Sequence, residues 1–119
     1  MEYKFLTKEV LERMAKYPLY SQDGKGTDAI VTAKFFYPAG AWTWYVLEYD
    51  TEGKDTCYGI VINGHGEAEY GYFSLKELQS IRGLFGLGVE RDMYFDPIKV
   101  GKIQDGYVKD FVKSLEVTC

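Results

Sequence analysis

Few side chains in this sequence have the type and spacing that chemistry needs. His65, the only histidine, stands in Asn63-Gly64-His65-Gly66 beside Glu67 and Glu69. A zinc ion needs about four ligands at consistent spacing, which one histidine with Cys57 and Cys119 does not provide. A Ser/His/Asp or Cys/His nucleophile would have to be built on His65 itself, and Cys57, a strand and a turn away, carries no supporting motif. Glu90, Asp92 and Asp96 form the strongest acidic set, on one alternating face of VERDMYFD. Three such carboxylates on a rigid strand could hold Mg²⁺ or Ca²⁺ or share acid/base work, although a charge run of this kind is more often a solvated edge. Arg91 falls among Val89, Met93 and Phe95, where burial would demand a carboxylate partner, so a structural salt bridge is expected there. The glycines of GKG (Gly24 to Gly26) and GLFGLG (Gly83 to Gly88) lack the strand, spacing and order of a phosphate-binding or dinucleotide loop and read as turns. No catalytic residue, cofactor or metal site is assigned.

The residues that stand out are aromatic. AKFFYPAGAWTWYVLEYD, Ala33 to Asp50, places seven rings in eighteen residues, and aromatics make up 17% of the chain, mostly tyrosine. Tyrosine joins an apolar ring to a hydroxyl that wants a partner, so it suits half-buried sheet faces and interfaces alike.

The elements that must position these rings follow from periodicity. Leu6, Val10, Leu11, Met14 and Tyr17 recur at helical spacing, with Thr7 as cap and Pro18 as stop. SQDGKGTD reads as a polar surface loop. Ala29 to Tyr37 and Ala41 to Asp50 are strands joined by the hairpin residues Pro38-Ala39-Gly40. Asp55 to Ile62 and Glu67 to Phe73 continue the meander through glycine-containing turns. Ser74 and Glu77 form a capping box, Phe73 and Leu78 stand at staple positions, and Gly83 is placed to end that helix. Val89 to Asp96 is a short fifth strand or extended segment, and Tyr107, Val108, Phe111, Val112 and Leu115 mark a terminal helix that Asp105 could cap.

The expected fold class is therefore α+β, a curved antiparallel sheet of four to five strands packed with two to three helices in a single domain, residues 1–119, with residues 97–119 as a C-terminal extension. In the second strand of the hairpin, alternation sets Trp42, Trp44 and Val46 against Thr43, Tyr45, Leu47 and Tyr49, so both faces are apolar. Such a strand is either covered by helices on both sides or leaves aromatics in solvent.

Composition narrows the partners. Fourteen basic against eighteen acidic residues give a net charge of −4, and the span Tyr45 to Tyr70 holds Glu48, Asp50, Glu52, Asp55, Glu67 and Glu69 against Lys54 alone. A nucleic-acid partner is not expected, because no basic stripe is present to neutralise phosphates. A basic protein or a cationic group suits this charge better. Cys57 and Cys119 make a poor disulfide framework, which with the lack of a signal or membrane-length apolar run points to a cytoplasmic protein and no membrane partner.

The strings from Gly24 to Asp50 (GKG, DAIV, AKFF, WTWYV) and from Gly71 to Pro97 (GYFSLKEL, IRGLFGLGVERDMYFDP) resemble a bacterial family, the domain of unknown function 2958, over about Leu6 to Pro97. The resemblance implies a small protein of plasmids, phages and other mobile elements, and no known enzyme activity. The segment after Pro97 exceeds the pattern. The leading expectation is a non-catalytic binding module that modulates a host or phage protein, with Trp42, Trp44, Tyr45, Glu48, Glu90, Arg91 and Asp92 as binding residues and an unidentified protein as partner. The alternative is a small-molecule site, with a nucleotide stacked between sheet aromatics and Lys25, Lys34 or Arg91 on a phosphate. A metal-assisted enzyme using Glu90, Asp92 and Asp96 is third.

Overall fold

The computed structural model describes residues 5–83 and 86–117. Cys119, the first four residues and two positions of GLFGLG lie outside that range. Helix α1 spans Lys8–Met14, and the Thr7 side chain accepts the Val10 N–H at its start. After the 20–28 loop come β1 (Ile30–Val31), β2 (Ala33–Phe36), β3 (Thr43–Tyr49), β4 (Thr56–Ile62) and β5 (Ala68–Ser74). Helix α2 (Leu75–Ser80), β6 (Glu90–Arg91), β7 (Ile98–Lys99) and α3 (Gly106–Val117) complete the order.

The main sheet has five antiparallel strands in the order β5-β4-β3-β2-β6. The expected meander is present as β2 to β5, and β6 adds to the free edge of β2. The first predicted strand is divided. Thr32 separates β2 from β1, which leaves the main sheet to pair with β7 in a two-stranded ribbon. The predicted fifth strand, Val89 to Asp96, is paired only at Glu90 and Arg91. Its alternation ends where Asp92 accepts the Tyr94 N–H on its own side chain and turns the chain, which leaves Met93 exposed.

Helices and turns cover both faces. On the first, Val10 and Met14 of α1 and Leu75 and Leu78 of α2 pack on Phe35, Trp44, Val46 and Cys57. On the second, Val108 of α3 with Val100 and Ile103 packs on Val31, Tyr45, Leu47, Ile60 and Ile62. The residues after Pro97 thus supply half the cover of the sheet. Most of the crowded hairpin is core, because Phe35, Trp44, Tyr45 and Tyr49 are all buried.

One departure from strict alternation decides which side chains of β3 reach each face. The pairing of β3 with β4 runs Val46↔Gly59 and then Glu48↔Tyr58, so Leu47 is an extra residue, a β-bulge. An extra residue inverts the side assignment beyond it. Tyr49, expected beside Tyr45, therefore enters the first core with Trp44 and Val46. Glu48 pairs with Tyr58 and faces the second side.

Helix α2 starts at the expected cap and stops earlier than expected. Ser74 caps it, its Oγ accepting the Glu77 N–H at 3.2 Å, but the same hydroxyl donates to Asp55 at 2.7 Å and Asp55 accepts the Lys76 N–H at 2.9 Å. The helix stops at Ser80 rather than at Gly83, and the Arg82 guanidinium donates to the Gln79 and Ile81 carbonyls at 2.7 Å each. Gly83 answers a different need, since a Cβ there would overlap the Tyr37 hydroxyl.

The Asp55 bonds have a pH signature. The Ser74 hydroxyl first, then the Lys76 N–H, hold its carboxyl below the ordinary value of 3.8. A folded-state value lowered in this way contributes stability that is complete above the unfolded value and lost as pH falls through the folded one. Melting curves of wild type and Asp55→Asn are expected to differ at pH 7, to start converging as pH falls below about 4, and to meet only below the lowered folded value. A gap that is constant with pH would remove this role.

Candidate functional site

The tip of the β2–β3 hairpin leaves apolar surface open. Phe36 pairs with Thr43, the Tyr37 N–H donates to the Trp42 carbonyl at 3.0 Å, and Pro38 to Ala41 close the turn beyond. Trp42 therefore sits at the end of the strand, past the reach of α1 and α2, and is 42% exposed, whereas Trp44 two residues on is 6% exposed. Their rings stack at 5.8 Å with 20° between planes. Tyr37 and Ile81 complete the walls of a cleft of about 300 Å³, and among the described residues no carboxylate or basic group lines it. Ile81 reaches this position because α2 ends one residue earlier and turns to extended backbone there.

The other expected binding residues lie elsewhere. Tyr45 is on the second face, where its hydroxyl donates to Asp105 at 2.9 Å and its ring meets Phe95. Burial, then that hydrogen bond and the Asp105 charge, raise its pKa and keep the phenol protonated. Asp105 also accepts the Tyr107 N–H at 2.8 Å and so caps α3, as expected. Glu48 is 3% exposed, and its two oxygens accept the Tyr20 and Gln22 N–H groups at 2.8 and 2.9 Å. The acidic span around it is divided accordingly. Glu48 is buried under the 20–28 loop, Asp50 and Asp55 accept N–H groups of a turn and a helix, and Glu52, Glu67 and Glu69 are exposed.

Glu90 and Arg91 lie opposite Phe36 and Phe35 on the β6 edge. Arg91 is buried, and its Nε donates to the Phe5 carbonyl at 3.0 Å, so one partner of the guanidinium is backbone rather than carboxylate. Asp92 accepts the Tyr94 N–H at 2.9 Å and turns the chain. Among the described residues no three His, Cys, Asp or Glu side chains are gathered to hold a metal ion, and Glu90, Asp92 and Asp96 do not converge. His65 is exposed in the turn beyond one end of β4, while Cys57 is buried near the other end. Burial, with the Asp55 charge, pushes the Cys57 thiol up to about 12, which leaves too little thiolate at neutral pH for a nucleophile.

Gln22 is the residue that sequence reasoning missed. It lies in the polar loop, yet it is buried, donates to the Ile30 and Leu47 carbonyls at 2.8 and 2.7 Å and accepts the Ile30 N–H at 2.6 Å. Where the bulge and the split between β1 and β2 interrupt regular pairing, its amide completes the backbone hydrogen bonding.

These features define an α+β protein whose five-stranded antiparallel sheet is covered on both faces and whose hairpin tip carries an open aromatic cleft. The family described as Protein of unknown function (DUF2958) matches residues 5–101, and the chain belongs to that family. The match includes the hairpin, α2 and β6 and stops short of α3. No curated protein and no solved structure matches the chain. Among the described residues no helix is long and apolar enough to cross a membrane.

Proposed function

We propose that this protein is a non-catalytic interaction module of mobile-element type that engages a host or phage protein in the cytoplasm through the hairpin-tip cleft. Trp42 carries the reading. Its ring is supported from behind by buried Trp44, yet its outer surface is open beside a preformed apolar hollow. A rigid, half-exposed tryptophan next to a pocket is the geometry of an interface anchor, because docking removes apolar area from water with little loss of side-chain freedom. The walls suit a bulky aliphatic or aromatic side chain from the partner. The free, buried Cys57 is consistent with a reducing compartment.

The test is recovery of tagged wild type and Trp42→Ala from a bacterial lysate, followed by native mass spectrometry. The wild type is expected to carry a protein that the variant retains about tenfold less, while the variant stays folded at a stability cost of about 1–2 kcal/mol from the lost ring stacking. Acrylamide should quench Trp42 strongly in the free protein and weakly in the complex. A partner held equally by both chains, or no partner at all, overturns the proposal.

A further inference from the structure

The second face of the sheet holds a cavity of different chemistry. It measures about 340 Å³ and lies where the 22–26 loop meets β3, β4 and β5. Asp23 and Glu48 supply carboxylates to its lining, and Tyr58 and Tyr70 supply rings. The two rings come from diagonal positions on adjacent strands, with centroids 6.0 Å apart and planes only 7° from parallel. Tyr72 leans on Tyr58 at 4.8 Å and extends this aromatic wall.

Glu48 makes the site unusual. Each of its oxygens accepts one backbone N–H, whereas a carboxylate offers about four acceptor positions. The ion pairs among the described residues are Lys8 with Glu12 and Lys99 with Asp28, and Glu48 belongs to neither. A buried charge without a counter-ion costs free energy that an entering cation would offset. Burial first, and then the Tyr70, Glu48 and Asp23 charges, raise the pKa of the Tyr58 phenol, so the two carboxylates of the lining are felt at the ring. Aromatic rings and carboxylates both attract cations, and rings favour weakly hydrated organic ones over small metal ions. A phosphate would meet two carboxylates and no basic side chain among the lining residues.

We propose that this cavity binds a compact organic cation, an ammonium or guanidinium head group, against the Tyr58 and Tyr70 rings with the Glu48 carboxylate as counter-ion. Such a head group could belong to a free amine or to a Lys or Arg side chain of a peptide. The site is separate from the hairpin tip, so its failure leaves the reading of that cleft untouched.

The full chain, labelled with ¹⁵N, would be titrated with n-butylammonium, with n-pentanol as a neutral analogue of similar size, and with a blocked Gly-Lys-Gly tripeptide. Saturable amide shifts at Gln22 to Gly26 and at Tyr58 and Tyr70 are expected with the cation and not with the alcohol. Tighter binding of the tripeptide would assign the head group to a side chain, and tighter binding of butylammonium to a free amine. Tyr58→Leu, which leaves Glu48 and the loop in place, should weaken binding about tenfold. Equal shifts with the alcohol, no saturation with either cation, or undiminished binding to folded Tyr58→Leu would each overturn the proposal.

Discussion

Replacing Gly59 with alanine is expected to cost more than about 4 kcal/mol and to leave little folded protein at 37 °C, an effect outside the range of ordinary substitutions. Gly59 lies at the centre of β4 opposite Val46, one residue before the bulge at Leu47. A Cβ built there would overlap the Tyr45 carbonyl oxygen and stand 2.9 Å from its carbon and 3.1 Å from the Leu47 nitrogen. The obstruction is backbone in the middle of a covered sheet, so no side-chain rotation relieves it, and the strands must separate or the bulge must be lost. Loss of the bulge would slip the end of β3 by one position, drive Glu48 toward the first core and expel Tyr49 from it. The cross-strand neighbour supplies the control. Gly71 pairs with Gly59, but a Cβ at Gly71 meets nothing nearer than the Val61 side chain at 4.0 Å. Gly71→Ala should therefore fold, with a stability within about 1 kcal/mol of wild type. Thermal and urea unfolding of the two variants measures the difference, and a well-folded Gly59→Ala protein would mean that the bulge is not a fixed feature.

The same bulge marks where the sequence stopped being readable. Period-two alternation identified β3 and its two apolar faces, leaving double cover or exposed aromatics as the alternatives, and capping chemistry identified Thr7, Ser74 and Asp105, because each of those signals is local. A bulge has no local signal. Leu47 is as apolar as its neighbours, and only the partner strand, with glycine at 59, betrays the inserted residue. Asp55 and Gln22 were missed for a related reason. Their acceptors and donors belong to elements distant in sequence, 19 residues away for the Asp55 bond to Ser74 and 25 for the Gln22 bond to Leu47, so spacing within a segment cannot reveal them. The candidate site was legible in part. Trp42 and Trp44 could be named from composition, but that one is open and the other buried depends on where α1 and α2 end. Tyr45 and Glu48, close to them in sequence, face the other side of the sheet. The acidic span suggested a charged flank, yet its first carboxylate, Glu48, lies beneath a loop.

Removing that carboxylate is the second large expected effect. Glu48→Leu keeps much of the side-chain volume and removes the only acceptor that the Tyr20 and Gln22 N–H groups share. Two donors at a buried or partly buried position would then be unsatisfied, at a cost of about 2–4 kcal/mol in total. The loop has further reason to come loose, because Tyr20 is held at φ 72°, a left-handed conformation that a residue with a Cβ adopts only when its surroundings impose it. Once freed, Tyr20 can relax, Gln22 loses its placement against Ile30 and Leu47, and the wall of the 340 Å³ cavity goes with it. Amide exchange should rise by orders of magnitude at Gln22 and at Ile30, whose N–H the Gln22 side chain accepts, while Val46 and Ile60 in the sheet centre stay protected. Glu48→Gln, which retains one acceptor oxygen, should lie between the variant and wild type. A Glu48→Leu protein with an unchanged melting temperature and a protected Gln22 amide would show that the loop is held by its other contacts and that the buried carboxylate is kept for its charge alone.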